Sequence, residues 1–144
     1  MTRTARHYDA ALVHNPDNPA LLNNYAHALT QAEERLDDAL RMARRAAELL
    51  PDSPTLLDTV AEVHLARQEP AEALAAARQA LDLQPDAARR QLTLARALLA
   101  DGQRDQAIPI LTNLNQRLKH GIAAPTSLSR LEHDELRRIL ATLP

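Results

Sequence analysis

The chain has 144 residues, a formal net charge of −2 and 25% charged residues. That length fits one domain, and the charge balance offers no basic excess to neutralise phosphates, which argues against a nucleic-acid partner. Cysteine is absent, so disulfides and thiolate metal sites are excluded while the redox compartment stays open.

Ala contributes 28 residues and Leu 26, against three valines, Val13, Val60 and Val63. This mixture favours helix, because Ala and Leu lose little rotamer freedom there. The first predicted helix covers residues 3–14. Pro16 and Pro19 bracket the turn that follows, since proline cannot continue a helix. Helix two is predicted over 19–30 and helix three over 34–49, ending before Pro51. Ser53 and Pro54 read as an N-cap and a first helical residue, opening helix four, which ends near Arg67. Pro70 opens helix five, which closes before Pro85. Helix six spans 87–100 and stops at Asp101-Gly102, where glycine supplies a left-handed cap. Helix seven spans 104–119, with Pro109 tolerated near its start, and Gly121 ends it. Residues 122–126 are expected to form a loop. The last helix, about 127–142, carries Ser129 and Glu132 at capping-box spacing and an apolar stripe of Leu128, Leu131, Ile139 and Leu140.

A fixed period runs through these elements. Pro16, Pro51 and Pro85 are spaced 35 and 34 residues, and Ala39, Ala73 and Ala107 are spaced 34 and 34. Leu22, Leu57 and Gln91 share one slot. First-half positions read Tyr25-Ala26 and Leu29, then Val60-Ala61 and His64, then Leu94-Ala95 and Leu98. Second-half positions read Ala39, Ala43, Ala46 and Pro51, then Ala73, Ala77, Ala80 and Pro85, then Ala107, Leu111, Leu114 and Lys119. Across about residues 4–119 this pattern resembles the tetratricopeptide-repeat family, three units in register. It departs from the family in its thin aromatic slots, in Lys119 at the third closing proline, and in one extra residue between Leu29 and Ala39. The thin aromatic content predicts a shallower core.

The resemblance implies an all-α, right-handed α-solenoid of about eight helices. Its divisions are a half repeat (1–18), three repeats (19–53, 54–87 and 88–120) and a capping helix (121–144). Thr4, Tyr8 and Ala11 match the slots of Ala39, Ala43 and Ala46, so helix one reads as the second half of a unit. Its Tyr8 side is expected to stay partly uncovered and to favour a homodimer through the half repeat. An incomplete first unit also raises the expectation that the chain is a fragment of something longer.

Catalytic chemistry finds no support. Ser53, Ser127 and Ser129 all fall at helix starts and read as caps, and two glycines cannot build a phosphate loop. The six histidines show no metal-binding helical spacing, and His64 reads as a packing residue. Glu132-His133-Asp134-Glu135 lies on one turn, where neighbouring side chains diverge. Arg41, Arg44 and Arg45 read as a solvated face alongside Asp37, Asp38 and Glu48. No catalytic residue, metal or cofactor is expected. No apolar run reaches the roughly 18 residues of a membrane-spanning helix, and the opening MTRTARHYDAALVHNP lacks a signal peptide's apolar centre. The 16 arginines against one lysine point to a GC-rich, bacterial genome. The compartment is open between cytoplasm and, for a fragment of an exported protein, periplasm.

The family resemblance further implies that the first helix of each unit lines a concave groove that takes a peptide or partner protein. Its groove slots here are Ala20, Asn23, Asn24 and His27; Thr55, Asp58, Thr59 and Glu62; and Arg89, Leu92, Thr93 and Arg96. The two-carboxylate clamp of chaperone-tail receptors falls on Asn23, His27, Thr59, Arg89 and Thr93, where only Arg89 keeps the charge. The asparagine ladder keeps one rung, Asn24, with Thr59 and Thr93 in place of the others. Asp58 and Glu62 against Arg89 and Arg96 predict a ligand of mixed charge, basic near Glu62 and acidic near Arg96. The expected function is a non-catalytic interaction scaffold. The alternative is an accessory repeat segment of a larger bacterial enzyme or export machine, such as a glycosyltransferase or an exopolysaccharide or pilus assembly protein.

Overall fold

Proline and left-handed residues cut the alanine–leucine sequence into short helices. A computed structural model describes residues 2–121 and 128–143. Among them lie α1 (Arg3–His14), α2 (Pro19–Ala32), α3 (Leu36–Leu49), α4 (Pro54–Ala66), α5 (Pro70–Leu83), α6 (Ala88–Ala100), α7 (Arg104–Lys119) and α8 (Arg130–Thr142). No strand occurs among the described residues. The expected loop at 122–126 and the Ser127 cap lie outside them.

Caps explain most boundaries. Thr2, Asn18 and Ser129 each accept a hydrogen bond from a first-turn backbone N–H, and Ser129 with Glu132 completes a capping box. Ser53 corrects the sequence reading, because its hydroxyl makes no capping bond. Its ψ is 108°, against 157° and 166° at Thr2 and Ser129. Asn18 bonds at a similar ψ of 111°, because its side chain is one atom longer. Pro54 at the first helical position, where the missing N–H costs nothing, remains as the start signal.

The helix pairs turn on left-handed residues. Gly102 has φ 76° as expected, but the equivalent positions in the other units are Glu33 (φ 53°) and Gln68 (φ 60°). In each case the next residue's N–H donates to a carbonyl in the preceding helix: Glu34 to Leu29 (3.0 Å), Glu69 to His64 (2.9 Å) and Gln103 to Leu98 (2.8 Å). These acceptors are the three members of one repeat slot, so the turn is as periodic as the core. The extra residue of the first unit is absorbed by a second left-handed position, Arg35 (φ 47°), and α3 starts two residues later than predicted. A non-glycine residue in this conformation costs about 1–2 kcal/mol, and glycine returns about 0.5–1 kcal/mol of that through its unfolded-state entropy. Gln68→Gly is therefore expected to raise stability by about 0.5 kcal/mol in a urea titration. A loss would mean that the Gln68 side chain contributes something the turn geometry does not.

The core follows the repeat slots. Ala39, Ala43, Ala46, Ala73, Ala77, Ala80, Ala107, Leu111 and Leu114 are all buried, as are their counterparts Ala26, Ala61 and Ala95 in the first helices. One apolar cluster runs from Ala5 to Leu136. Small residues let the backbones approach but leave gaps outside the contact, and a cavity of about 520 Å³ opens between α3 and α5, floored by Leu57, Val60 and His64 of α4.

Helix α1 corrects its expected slots. Thr4 is exposed and Ala5 is buried in its place, a rotation of one residue. With no first helix in its unit, α1 leans on α2 instead. The Tyr8 and Tyr25 rings stack at 5.0 Å, and stacked aromatics contribute beyond their buried area. Tyr8 is left half-buried. The Tyr25 hydroxyl donates to Asp9 Oδ1 (2.7 Å), while Arg35 Nη1 donates to the same hydroxyl (2.7 Å) and to Asp9 Oδ2 (3.2 Å).

At the other end α8 runs antiparallel to α7. Arg104 Nη2, at the start of α7, donates to the Thr142 carbonyl at the end of α8 (3.2 Å). Leu136 and His133 face Asn115 and Leu118 across a small cleft.

Candidate functional site: the concave face of the first helices

Helices α2, α4 and α6 each begin a unit, and their outward positions line up along one face. Polar side chains there read from sequence as a solvated surface or a recognition surface. The structure buries several of them. Asp58 and Thr93 are each 2% exposed, and Thr59, Glu62 and Leu92 are also buried. Asn23, His27, Arg89 and Arg96 are half-buried, whereas Asn24 and Thr55 are exposed, as is Ala20.

Charge links the three helices. Glu62 Oε2 lies 3.3 Å from His27 Nδ1 on α2, and Glu62 Oε1 lies 3.5 Å from Arg89 Nη2 on α6. Arg89 Nε lies 3.3 Å from Asp58 Oδ2 and equally 3.3 Å from Glu132 Oε1 on α8. Arg96 Nε lies 2.9 Å from Glu135 Oε1. One guanidinium thus sits among three carboxylates drawn from two helices. Arg90, one residue on, donates to the Thr55 hydroxyl (2.9 Å).

These contacts are close but poorly directed. Asn23 Oδ1, Asp58 Oδ1, Glu62 Oε2, Arg89 Nε and Arg90 Nε are buried without a well-aligned hydrogen bond among the described residues, although Glu62 Oε2 and Arg89 Nε keep their ion-pair contacts. Four of the five belong to groove slots, and the fifth adjoins one. The Thr93 hydroxyl donates to the Arg89 carbonyl (3.1 Å). Thr59 likewise donates to the Thr55 carbonyl (3.2 Å). Both threonines, which stand where the resemblance would place asparagines, therefore spend their donors on their own helix.

The environment divides the carboxylates. Burial pushes the Asp58 carboxyl up to about 6, with the neighbouring Glu62 charge adding to it. Burial acts the same way on Glu62, but the close contact with His27 and the Arg89 charge outweigh it and hold that carboxyl below its ordinary value. Glu62 in turn raises His27. Two acids one helical turn apart are thereby tuned in opposite directions.

Glu132, His133, Asp134 and Glu135 diverge as their sequence spacing required: Glu132 and Glu135 reach Arg89 and Arg96, while His133 lines the cleft on α7. What sequence reasoning missed is this use of α8. The signal was present as two glutamates three residues apart, opposite two arginines seven apart on α6. The convex basic cluster is exposed as expected. Arg41 pairs with Asp38, and Arg45 pairs with Asp17 and Glu48. His64 is a buried packing residue whose Nδ1 meets Glu69 Oε2 at 2.6 Å.

The arrangement is an α-solenoid of helix–turn–helix units with a polar concave face, and it is of tetratricopeptide type. Residues 64–120 match the tetratricopeptide repeat family. Solved structures of MamA share the fold. The AMB-1 protein superposes with a TM-score of 0.70 at 20% identity, over 83% of this chain and 69% of that one. The MSR-1 protein gives 0.69 at 18% identity, over 83% and 68%, and a further MamA structure gives 0.54 at 14%, over 87% and 86%. No curated protein matches the sequence. Tetratricopeptide proteins generally act in protein–protein interaction. Among the described residues no helix is long and apolar enough to cross a membrane.

Proposed function

We propose that the chain is a non-catalytic scaffold that holds a peptide or partner protein in its concave groove. The observation that carries this reading is the row of polar side chains on that face, from Asn24 and His27 on α2 through Glu62 on α4 to Arg89 and Arg96 on α6, whose charges meet across the three helices. Their alignment along one row, with Asn24 and Thr55 exposed and His27, Arg89 and Arg96 half-buried, supports a surface built to meet a partner. The mixture of Asp58 and Glu62 with Arg89 and Arg96 supports a ligand presenting both donors and carboxylates.

The test is capture of partners by the full chain from its native lysate, compared with a chain carrying Asn24→Ala, Glu62→Ala and Arg96→Ala. A retained protein that disappears with the triple variant is the expected result. Retention of the same proteins by both chains overturns the reading.

A further inference from the structure

The two charges that the groove asks of a ligand are both supplied from within the chain. Arg89 and His27 answer Glu62, and the carboxylates of α8 answer the arginines. Glu132 reaches Arg89, and through it the row of Asp58 and Glu62 on α4. Glu135 reaches Arg96 at 2.9 Å. The next residue, Leu136, is 2% exposed and joins the main apolar cluster. The helix is firmly started by its capping box and lies against α7, whose Asn115 and Leu118 face Leu136 and His133. Its carboxylates and its buried leucine thus point to one side, toward α6 and α7, whereas Leu131 is 77% exposed on the other. A helix needed only to cover an apolar end would gain little from aiming two glutamates at two arginines on the recognition face, since exposed ion pairs stabilise weakly.

We infer that α8 is an intramolecular stand-in for the groove's ligand. The ligand class is an amphipathic helix that presents two carboxylates three residues apart on one face, followed by an apolar residue, the Glu132–Glu135–Leu136 pattern. Such a helix binds across Arg89 and Arg96 in competition with α8. This rests on the groove being a recognition surface and adds the partner's chemistry and the device that regulates access.

The probe is a fluorescein-labelled synthetic peptide of residues 128–143, titrated by anisotropy into full-length chains. In the wild type the tethered α8 holds the site and binding is weak. The double variant Glu132→Lys with Glu135→Lys repels its own α8 from the arginines, and the native-sequence peptide is expected to bind it at least tenfold more tightly. Adding Arg89→Glu and Arg96→Glu to that chain abolishes the binding. The Lys-substituted peptide is expected to bind a chain carrying only Arg89→Glu and Arg96→Glu. Thermal melts verify folding, and Glu135→Gln serves as a milder releasing variant if the double variant does not fold. Equal affinity for the wild-type and released chains, or no binding to the released one, overturns the inference. The groove reading fails separately, when the partners captured from lysate ignore the groove substitutions.

Discussion

Asp58→Asn is expected to stabilise the chain at pH 7.5 by about 1–3 kcal/mol, from a pKa displacement of roughly two units at 1.36 kcal/mol each. Burial, reinforced by Glu62, raises the Asp58 carboxyl to about 6, against about 3.9 in an unfolded chain. Between those values the folded state holds a proton that the unfolded state has released. Stability therefore falls as pH rises through that window, and the loss is complete above pH 6. Asparagine keeps the shape and cannot ionise, so its advantage is full at pH 7.5 and shrinks toward zero near pH 4. Urea titrations of both chains at the two pH values read the difference. An equal effect at both, or destabilisation at pH 7.5, would show that the Arg89 contact outweighs the desolvation of Asp58.

Ala73→Leu should destabilise the chain by about 1–3 kcal/mol, the usual cost of overfilling a packed contact. Ala73 is fully buried where α5 meets α4, and its repeat equivalents Ala39 and Ala107 are equally buried. Ala75, two residues on, is exposed at the rim of the convex cavity. Leucine there can lie over Leu57 and Val60, so Ala75→Leu should leave the melting temperature unchanged or raise it. Equal losses from the two substitutions would mean that the helix faces are assigned wrongly.

These two positions also mark what the sequence makes legible. Ala73 was readable because a buried slot must recur: the spacing of Ala39, Ala73 and Ala107 is a packing constraint repeated three times. The prolines and Gly102 placed most helix ends for the same reason, since backbone restrictions act locally. Left-handed Glu33 and Gln68 were hidden, because side chains that tolerate the conformation do not announce it as glycine does. The extra residue before Ala39 displaces the period in the first unit, and the family match begins only beyond it, at residue 64. The groove was legible as a list of slots but not as an environment. Burial of Asp58 and Glu62 depends on three helices and on the return of α8, and no local pattern encodes that return. Tyr8 was likewise assigned to a missing helix, when its ring had a partner in Tyr25.

The tyrosine–arginine clamp at the N-terminal end has a counterpart at the far end. Arg35 ties α1, α2 and α3 through Asp9, Tyr25 and Asp38, and Arg89 and Arg96 hold α8. Between them α4 and α5 carry the buried small residues Ala61, Ala73, Ala77 and Ala80, with charge at the edge of the pair, where His64 and Arg67 meet Glu69. Added salt shortens the reach of half-exposed ion pairs, with a Debye length of about 8 Å at 0.15 M and about 3 Å at 1 M, and leaves apolar burial intact. Ionic strength therefore addresses the clamps at the two ends and the pairs that join α4 to α2 and α6, and it spares the alanine seams within each helix pair. The seams are fixed, and the hold of the helices across them is set by the ionic content of the surrounding solution.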